Sequence, residues 1–340
     1  MKAAVFAYSR QGCATARKIS ENFADAQLCR FAAARLEQTD FSPIPKPSGD
    51  FYAKQFSRCD ALIFVGSCGI AVRQIAPYVR DKRTDPAVLV VDELGTFVIS
   101  LLSGHIGGAN ALAKQLAETL GATPVVTTAT DINGRFSVDE WAAKKGFVIG
   151  DIRTAKAISA AILEGDVPLF SDFPVVSSYP LGVVPGERGQ IGIYIGYRKK
   201  EPFSQTLQII PPVLHLGIGC RRGVSQDAIR QAVWDVLEEN QIDKRAIRFA
   251  ASIDLKANEP GLIEFARENN WTFQCYSANQ LMKAEGNFSA SSFVRSVTGV
   301  DTVCERAAIL GADRLIVKKT AKNGVTVALA EENLEVSFVG

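Results

Sequence analysis

Short apolar runs that stop at a glycine turn and give way to an amphipathic stretch recur along this chain. ALIFV leads into GSCGIAVR at 66–73, VISLL into SGHIGGAN at 103–110 and then ALAKQLAETL, and VLHLGIG into CRRGVSQDAIRQAVWDVLEEN. The opening, KAAVFAYS, GCATARKISENFA and AQLCRFAA, has the same strand, helix, strand order. Such alternation predicts an α/β fold with a mostly parallel sheet, whose ligands sit outside the carboxyl ends of the strands. GSCG, SGHIGG and ATDING are all expected on that edge.

At 340 residues the chain has room for two or three domains. The pattern predicts a mostly parallel amino-terminal α/β sheet domain (1–135), a small mixed middle module (136–205) and a carboxyl-terminal α/β domain (206–340) with a closing hairpin at Asn323-Gly324. Three prolines, Pro43, Pro45 and Pro47, predict an irregular loop over 41–50. TPVVTTATD reads as a strand ending at Asp131, and the polar, proline-bearing run 198–212 as a linker.

A net charge of +2 offers no broad field for nucleic acid or a membrane surface, so neither is an expected partner, and any anion site must be local. Seven cysteines without a C-x-x-C pair argue for reduced thiols in a cytoplasmic protein and against a zinc site; two distant histidines give no metal-ligand spacing. The amino terminus is too short in apolar length for a secretory signal and reads as a first strand.

The corner at 103–110 concentrates chemistry. Ser103, Gly104, His105, Gly107, Gly108 and Asn110 stand where a strand turns into a helix, whose first N–H groups are unpaired. An imidazole could activate water, and the Gly107 and Gly108 amides could face a developing oxyanion; G-x-S-x-G geometry is missing, so Ser103 is not the expected nucleophile. Asp92 and Glu93, in the preceding DELG turn, are candidate acids beside His105. The plain alternative is a tight loop with a satisfied histidine and a solvated hairpin turn. Gly66, Ser67, Gly69 and Arg73 form a second strand-to-helix corner that could hold substrate, and Asp131 a third contribution.

In the carboxyl-terminal part, GIGCRRG sets Gly219, Arg221 and Arg222 between strand and helix, with Ser252 near the end of the next strand. Two guanidinium forks suit carboxylates or phosphates. The spacing is one residue too long for G-x-G-x-x-G, which leaves little support for a dinucleotide. His215 and Cys220 read as satisfied core residues.

GSCGIAVR, the DELG turn, SGHIGGANALA and TTATDING, followed by GIGCRRG, SIDLKANE and VCERAA, resemble the cobalt-precorrin-5A hydrolase family of anaerobic cobalamin (vitamin B12) biosynthesis, over nearly the whole chain. The resemblance implies an enzyme that opens the δ-lactone of a cobalt-containing tetrapyrrole (corrin precursor) and releases acetaldehyde, giving cobalt-precorrin-5B. It implies no cofactor held by protein ligands, since cobalt arrives in the substrate. A flat macrocycle with many carboxylates suits a cleft between domains and the arginine loop. Neighbouring pathway enzymes and a second copy of the chain, as a homodimer, are further partners consistent with it. A non-catalytic tetrapyrrole-binding or channelling protein, and a nucleotide-dependent oxidoreductase, are the competing readings.

Overall fold

A computed structural model describes residues 1–21, 23, 27–81, 84–104, 107–289 and 292–339. The chain divides into two compact units, Met1–Trp141 and Ala142–Gly340.

The first unit is built on seven strands: β1 (Lys2–Ala7), β2 (Gln27–Ala33), β3 (Ser42–Ile44), β4 (Ala61–Val65), β5 (Ala87–Val91), β6 (Phe97–Leu102) and β7 (Thr123–Val125), in the order β3-β2-β1-β4-β5-β6-β7. Its helices are α1 (Arg10–Glu21), α2 (Gly49–Arg58), α3 (Cys68–Ile75), α4 (Ala109–Leu120) and α5 (Ala129–Ile132), with α6 (Val138–Lys144) at the division between units. Every residue of β4 and β5 is buried, because helices cover both faces of the sheet. Ala3, Val5, Ile63 and Leu89 pack on one face with Ile19 of α1 and Leu116 of α4; Ala4, Phe6, Phe64 and Val90 pack on the other with Tyr52 of α2 and Ile75 of α3.

Strands β1 to β5 run parallel, but β6 pairs with β5 antiparallel, Val91 opposite Val98 and Val88 opposite Leu102; β7 is parallel to β6. The carboxyl ends of β6 and β7 therefore lie at the edge where β4 and β5 begin. GSCG stays on the carboxyl edge of the parallel strands, whereas Ser103, Gly104, Gly107, Gly108 and the ATD segment go to the opposite one, contrary to the expectation of a single shared edge.

Three further expectations are corrected. The proline run contains β3, which pairs with β2 at Ala32 and Pro43; as the edge strand it tolerates proline, since its outer side has no ladder to complete. The strand before Asp131 stops at Val125, and Asp131 sits in α5. The run 198–212 is no linker: it holds a strand, Gln205–Ile210, whose Leu207, Ile209 and Ile210 are fully buried.

The second unit carries two five-stranded sheets. The first comprises β8 (Val148–Ile149), β9 (Val167–Ser171), β10 (Val183–Pro185), β11 (Ile191–Ile195) and β12 (Gln205–Ile210), ordered β10-β9-β11-β12-β8, with α7 (Ile152–Glu164). The other comprises β13 (Leu214–Cys220), β14 (Ile247–Ile253), β15 (Thr272–Tyr276), β16 (Arg314–Lys322) and β17 (Val325–Glu331), ordered β15-β14-β13-β17-β16. With it go α8 (Gln226–Glu239), α9 (Pro260–Glu268), α10 (Ala278–Met282), α11 (Ser292–Thr298) and α12 (Val303–Ile309). Strand β15 was not expected from TFQCY, which is only half-buried along its length. The β16–β17 hairpin turns at Asn323 and Gly324, whose φ angles of 50° and 80° suit a turn with two left-handed residues.

Candidate active site

The corner after β6 is held by its own backbone and by one buried carboxamide. Ser103 adopts φ 58°, its hydroxyl donates to the Asp85 carbonyl at 3.0 Å, and its carbonyl accepts from Ala109 N at 3.1 Å. A Cβ on Gly107 would overlap the Ser103 side chain and approach the Ser103 carbonyl at 2.8 Å, so only glycine fits there. Gly108 has open space around it but φ 81° at the start of α4, a conformation other residues adopt at a cost. A Cβ on Gly104 would meet the Asn110 carboxamide at 2.7 Å.

That carboxamide is 1% exposed. Its Oδ1 accepts from Ser100 Oγ at 2.7 Å, and its Nδ2 donates to Thr128 Oγ1 at 3.1 Å and Asp131 Oδ2 at 2.9 Å. Asp131 also pairs with Lys114 at 3.0 Å. Ser103, Gly104, Gly107, Gly108, Asn110 and Asp131 are thus brought together, with Asn110 and Ser103 serving the framework rather than facing a ligand. His105 and Ile106 lie outside the described residues.

Gly107 borders an open cleft of about 610 Å³ at the amino ends of β4 and β5. Arg58, Cys59, Asp60, Tyr78, Arg80 and Asp85 share its wall. Asp85 is buried, and its carboxylate accepts from Arg80 N at 2.9 Å and Asp81 N at 3.1 Å, which shapes the segment before β5. Asp60 accepts from Lys2 N at 2.7 Å and the Tyr78 hydroxyl donates to the Gly49 carbonyl at 2.8 Å. Burial pushes the Cys59 thiol up, which keeps it a poor nucleophile. Arg58 and Arg80 are exposed. Sequence reasoning missed this wall. Its signal was the charged flanks SRCD and VRD ahead of two strands, on the side where ligands of parallel sheets are not looked for.

Gly66, Ser67, Gly69, Arg73, Asp92 and Glu93 occupy the opposite, carboxyl edge. Strand β5 separates the two edges by about 15 Å at roughly 3.3 Å per residue. Asp92 and Glu93 therefore do not share the edge of Gly104 and Gly107, because β6 runs back along β5 after the DELG turn. The Asp92 carboxylate accepts from Leu94 N at 3.2 Å and Phe97 N at 2.5 Å and closes that turn. Glu93 accepts from the Ser9 hydroxyl at 2.6 Å, and Ser9 Oγ accepts from Gly12 N at 3.0 Å at the start of α1. Gly66 N donates to the Val91 carbonyl at 2.8 Å, Ser67 precedes α3, and Arg73 folds back onto the Gly69 carbonyl at 3.3 Å.

In the second unit the glycines of GIGCRRG are not a cradle. Gly219 lies inside β13 opposite Thr326, whose hydroxyl would meet an added Cβ at 2.6 Å, and a Cβ on Gly217 would overlap the Cys304 carbonyl of α12. These glycines let a helix and a hairpin approach the strand closely. Ser252 is fully buried and donates to the Ile218 carbonyl at 2.7 Å, so it cannot reach a substrate. Arg221 and Arg222 are exposed; the Arg221 side chain lies along the Gly324 turn, and its backbone N–H donates to the Gly324 carbonyl at 3.0 Å. Glu259 beneath them accepts from Gly223 N at 2.7 Å and Lys256 Nζ at 3.0 Å. Burial raises its carboxyl, but Lys256, the Gly223 amide and Arg222 outweigh that and lower it. His215, 2% exposed, contacts Glu332 at 2.6 Å and the Ala308 carbonyl at 3.2 Å and is a satisfied core residue, as expected; Cys220 is only half-buried at the end of β13, and burial pushes its thiol up.

Among the described residues no cluster of three or more His, Cys, Asp or Glu is arranged to hold a metal, and no helix is long and apolar enough to cross a membrane. Residues 50–131 match the family described as Cobalamin synthesis G N-terminal, and residues 214–330 the one described as Cobalamin synthesis G C-terminus. Over 341 residues the chain is 35% identical to the cobalt-precorrin-5A hydrolase of Salmonella typhimurium, covering 96% of each protein. The chain belongs to the cobalt-precorrin-5A hydrolase family. The Priestia megaterium cobalt-precorrin-5A hydrolase is 30% identical over 352 residues, 96% of this chain and 94% of that protein. A solved structure of a cobalamin biosynthesis protein G homolog from Sulfolobus solfataricus aligns over 98% of this chain and 97% of that one, at 21% identity and a TM-score of 0.42. As a member of the cobalt-precorrin-5A hydrolase family the chain is an enzyme of cobalamin biosynthesis. Both glycine corners of the first unit and the cleft between 53 and 107 fall within its amino-terminal family match.

Proposed function

We propose that this chain hydrolyses the δ-lactone of cobalt-precorrin-5A, releasing acetaldehyde and giving cobalt-precorrin-5B. The observation that carries the reading is identity of 35% and 30%, over 96% of the chain, to two proteins named for that substrate. The cobalt enters with the macrocycle. Seven free thiols support a reducing compartment, the cytoplasm.

The chemistry asks for little apparatus. Water, losing a proton to a base, adds to the lactone carbonyl; the acyl–oxygen bond breaks and the freed alkoxide takes a proton. Loss of that alcohol's proton then forms the aldehyde carbonyl as its carbon–carbon bond to the macrocycle breaks. The electron pair stays on the macrocycle, which takes up a proton. One water is consumed in total, and a single base can serve each transfer. We assign that base to His105, with the amides of Gly107 and Gly108 as donors to the oxyanion. The cleft beside Gly107 supports this side of the sheet as the place of reaction. Arg221 and Arg222 are proposed to hold carboxylates of the substrate.

Incubating purified protein with cobalt-precorrin-5A and assaying acetaldehyde tests the reading directly. Tight binding with no aldehyde over many equivalents of substrate would mean a carrier, not a hydrolase.

A further inference from the structure

We propose that Arg58 and Arg80 are specificity-determining residues that clamp carboxylates of the tetrapyrrole at the amino edge of the first sheet and turn its lactone toward the glycine corner. The inference rests on the lactone-hydrolase reading for the identity of the ligand, but its geometry stands on the cleft alone.

The cleft wall carries two carboxylates and two guanidinium groups, and both carboxylates already accept from backbone N–H groups. Asp85 is turned into its own loop, on the amides of Arg80 and Asp81 at 2.9 and 3.1 Å, and Asp60 is occupied by Lys2 N at 2.7 Å. Arg58 and Arg80 are both exposed along the same wall, and among the described residues neither guanidinium has a carboxylate partner. Most other arginines of the unit are engaged: Arg17 and Arg30 pair with Asp40, Arg35 donates to the Tyr8 carbonyl, and Arg73 to the Gly69 carbonyl. Arg58 ends α2, where a cation is favourable on its own account, yet it donates to none of the last carbonyls of that helix. Two unpaired planar forks on one wall of an open 610 Å³ cleft match a ligand that brings several carboxylates on flexible arms. A neutral ligand would leave both forks unused.

The location also explains why the clamp escapes the usual rule for such sheets. The hairpin that sends β6 back along β5 carries Ser103, Gly104, Gly107 and Gly108 to the amino edge, and Arg58 and Arg80 stand just ahead of the strands that begin there.

Equilibrium binding of cobalt-precorrin-5A, followed by its visible absorption at low and high salt, and acetaldehyde release are measured on the full chain. The set is wild type, Arg58→Ala, Arg80→Ala, the double variant, Arg58→Lys and Arg73→Ala. A charge-assisted hydrogen bond to a carboxylate predicts a loss of roughly 10- to 100-fold in affinity for each alanine variant. The lysine variant should recover part of that loss, thermal midpoints should stay unchanged, and the double variant should be less salt-sensitive than wild type. Binding of both alanine variants at wild-type strength overturns the proposal, as does a loss confined to Arg73→Ala, which puts the carboxylates on the other edge. Arginine-dependent binding without aldehyde from wild type sinks the hydrolase reading and leaves the clamp standing; a wild type that does not bind the compound sinks both.

Discussion

The Asn110 carboxamide donates to the Asp131 carboxylate at 2.9 Å, tying the first turn of α4 to the segment after β7. Its other bonds come from the half-buried Ser100 and go to the half-buried Thr128, while the carboxamide itself is buried. Asn110→Ala therefore leaves three polar partners short of one bond each. It should cost about 2–3 kcal/mol of stability by denaturant titration, since a buried polar group left unpaired loses about 1–3 kcal/mol. Asn110→Asp should be worse at pH 7 than at pH 4, because it sets a second carboxylate against Asp131. Midpoints equal to wild type for both variants would show that the network is incidental.

Gly107 and Gly108 are adjacent but are glycines for different reasons. Gly107→Ala drives a Cβ into Ser103 and its carbonyl, so it should lower both the thermal midpoint and aldehyde release. Gly108→Asn has open space and a side chain that tolerates φ 81°, so it should cost well under about 1 kcal/mol, whereas Gly108→Val should cost about 1–3 kcal/mol. Denaturation of the three variants side by side checks the ranking. Equal losses would mean that space, not backbone conformation, governs both positions.

His105→Ala and His105→Gln should each lower aldehyde release by about 10²–10⁴-fold at an unchanged thermal midpoint, as loss of a general base does. Glu93→Gln and Asp92→Asn, on the opposite edge, should keep kcat within about threefold of wild type. A variant of His105 with more than about a third of wild-type turnover removes it from the mechanism. A collapse of kcat in Glu93→Gln, with folding intact, would move the reaction to the carboxyl edge.

Glu259 sits below Arg221 and Arg222 and holds the Gly223 amide. Its carboxyl is lowered from the ordinary 4.5 in the folded chain, burial being outweighed by Lys256, the amide and Arg222. A lowered folded pKa adds stability that is complete above the ordinary value and disappears as pH falls through the folded one. Glu259→Gln should therefore be less stable than wild type at pH 7, with the gap closing below about pH 4.5. Denaturant midpoints from pH 7 to pH 3 check this; a gap that is constant or grows toward acid would contradict the assignment.

Most strands and helices of this chain were legible because burial on both sheet faces leaves unbroken apolar runs, and helices leave a 3.6-residue stripe. Pro43 misled because proline's cost depends on whether a strand is central or at an edge, which sequence does not display. The run 198–212 misled because its polar, proline-bearing flanks hide the six residues of β12. At the site, the glycine requirement of 107–108 was readable, but its cause was not: one position is set by Ser103, eighteen residues from the Asp85 carbonyl that anchors it.

By itself the sequence determined the local elements, the Asn323-Gly324 hairpin and the family. The direction of β6 was also within reach, since five residues between β5 and β6 allow a hairpin and no crossover. Tertiary structure alone decided which chemical groups meet. It parted Asp92 and Glu93 from the corner by the length of a strand, turned Gly217 and Gly219 into packing sites for α12 and β17, and buried Ser252. It also gathered Arg58, Arg80 and Gly107 around one cleft. The reason is physical: a run's hydrophobic period reports which of its faces is buried, but not which distant segment covers that face or which sheet edge its end reaches.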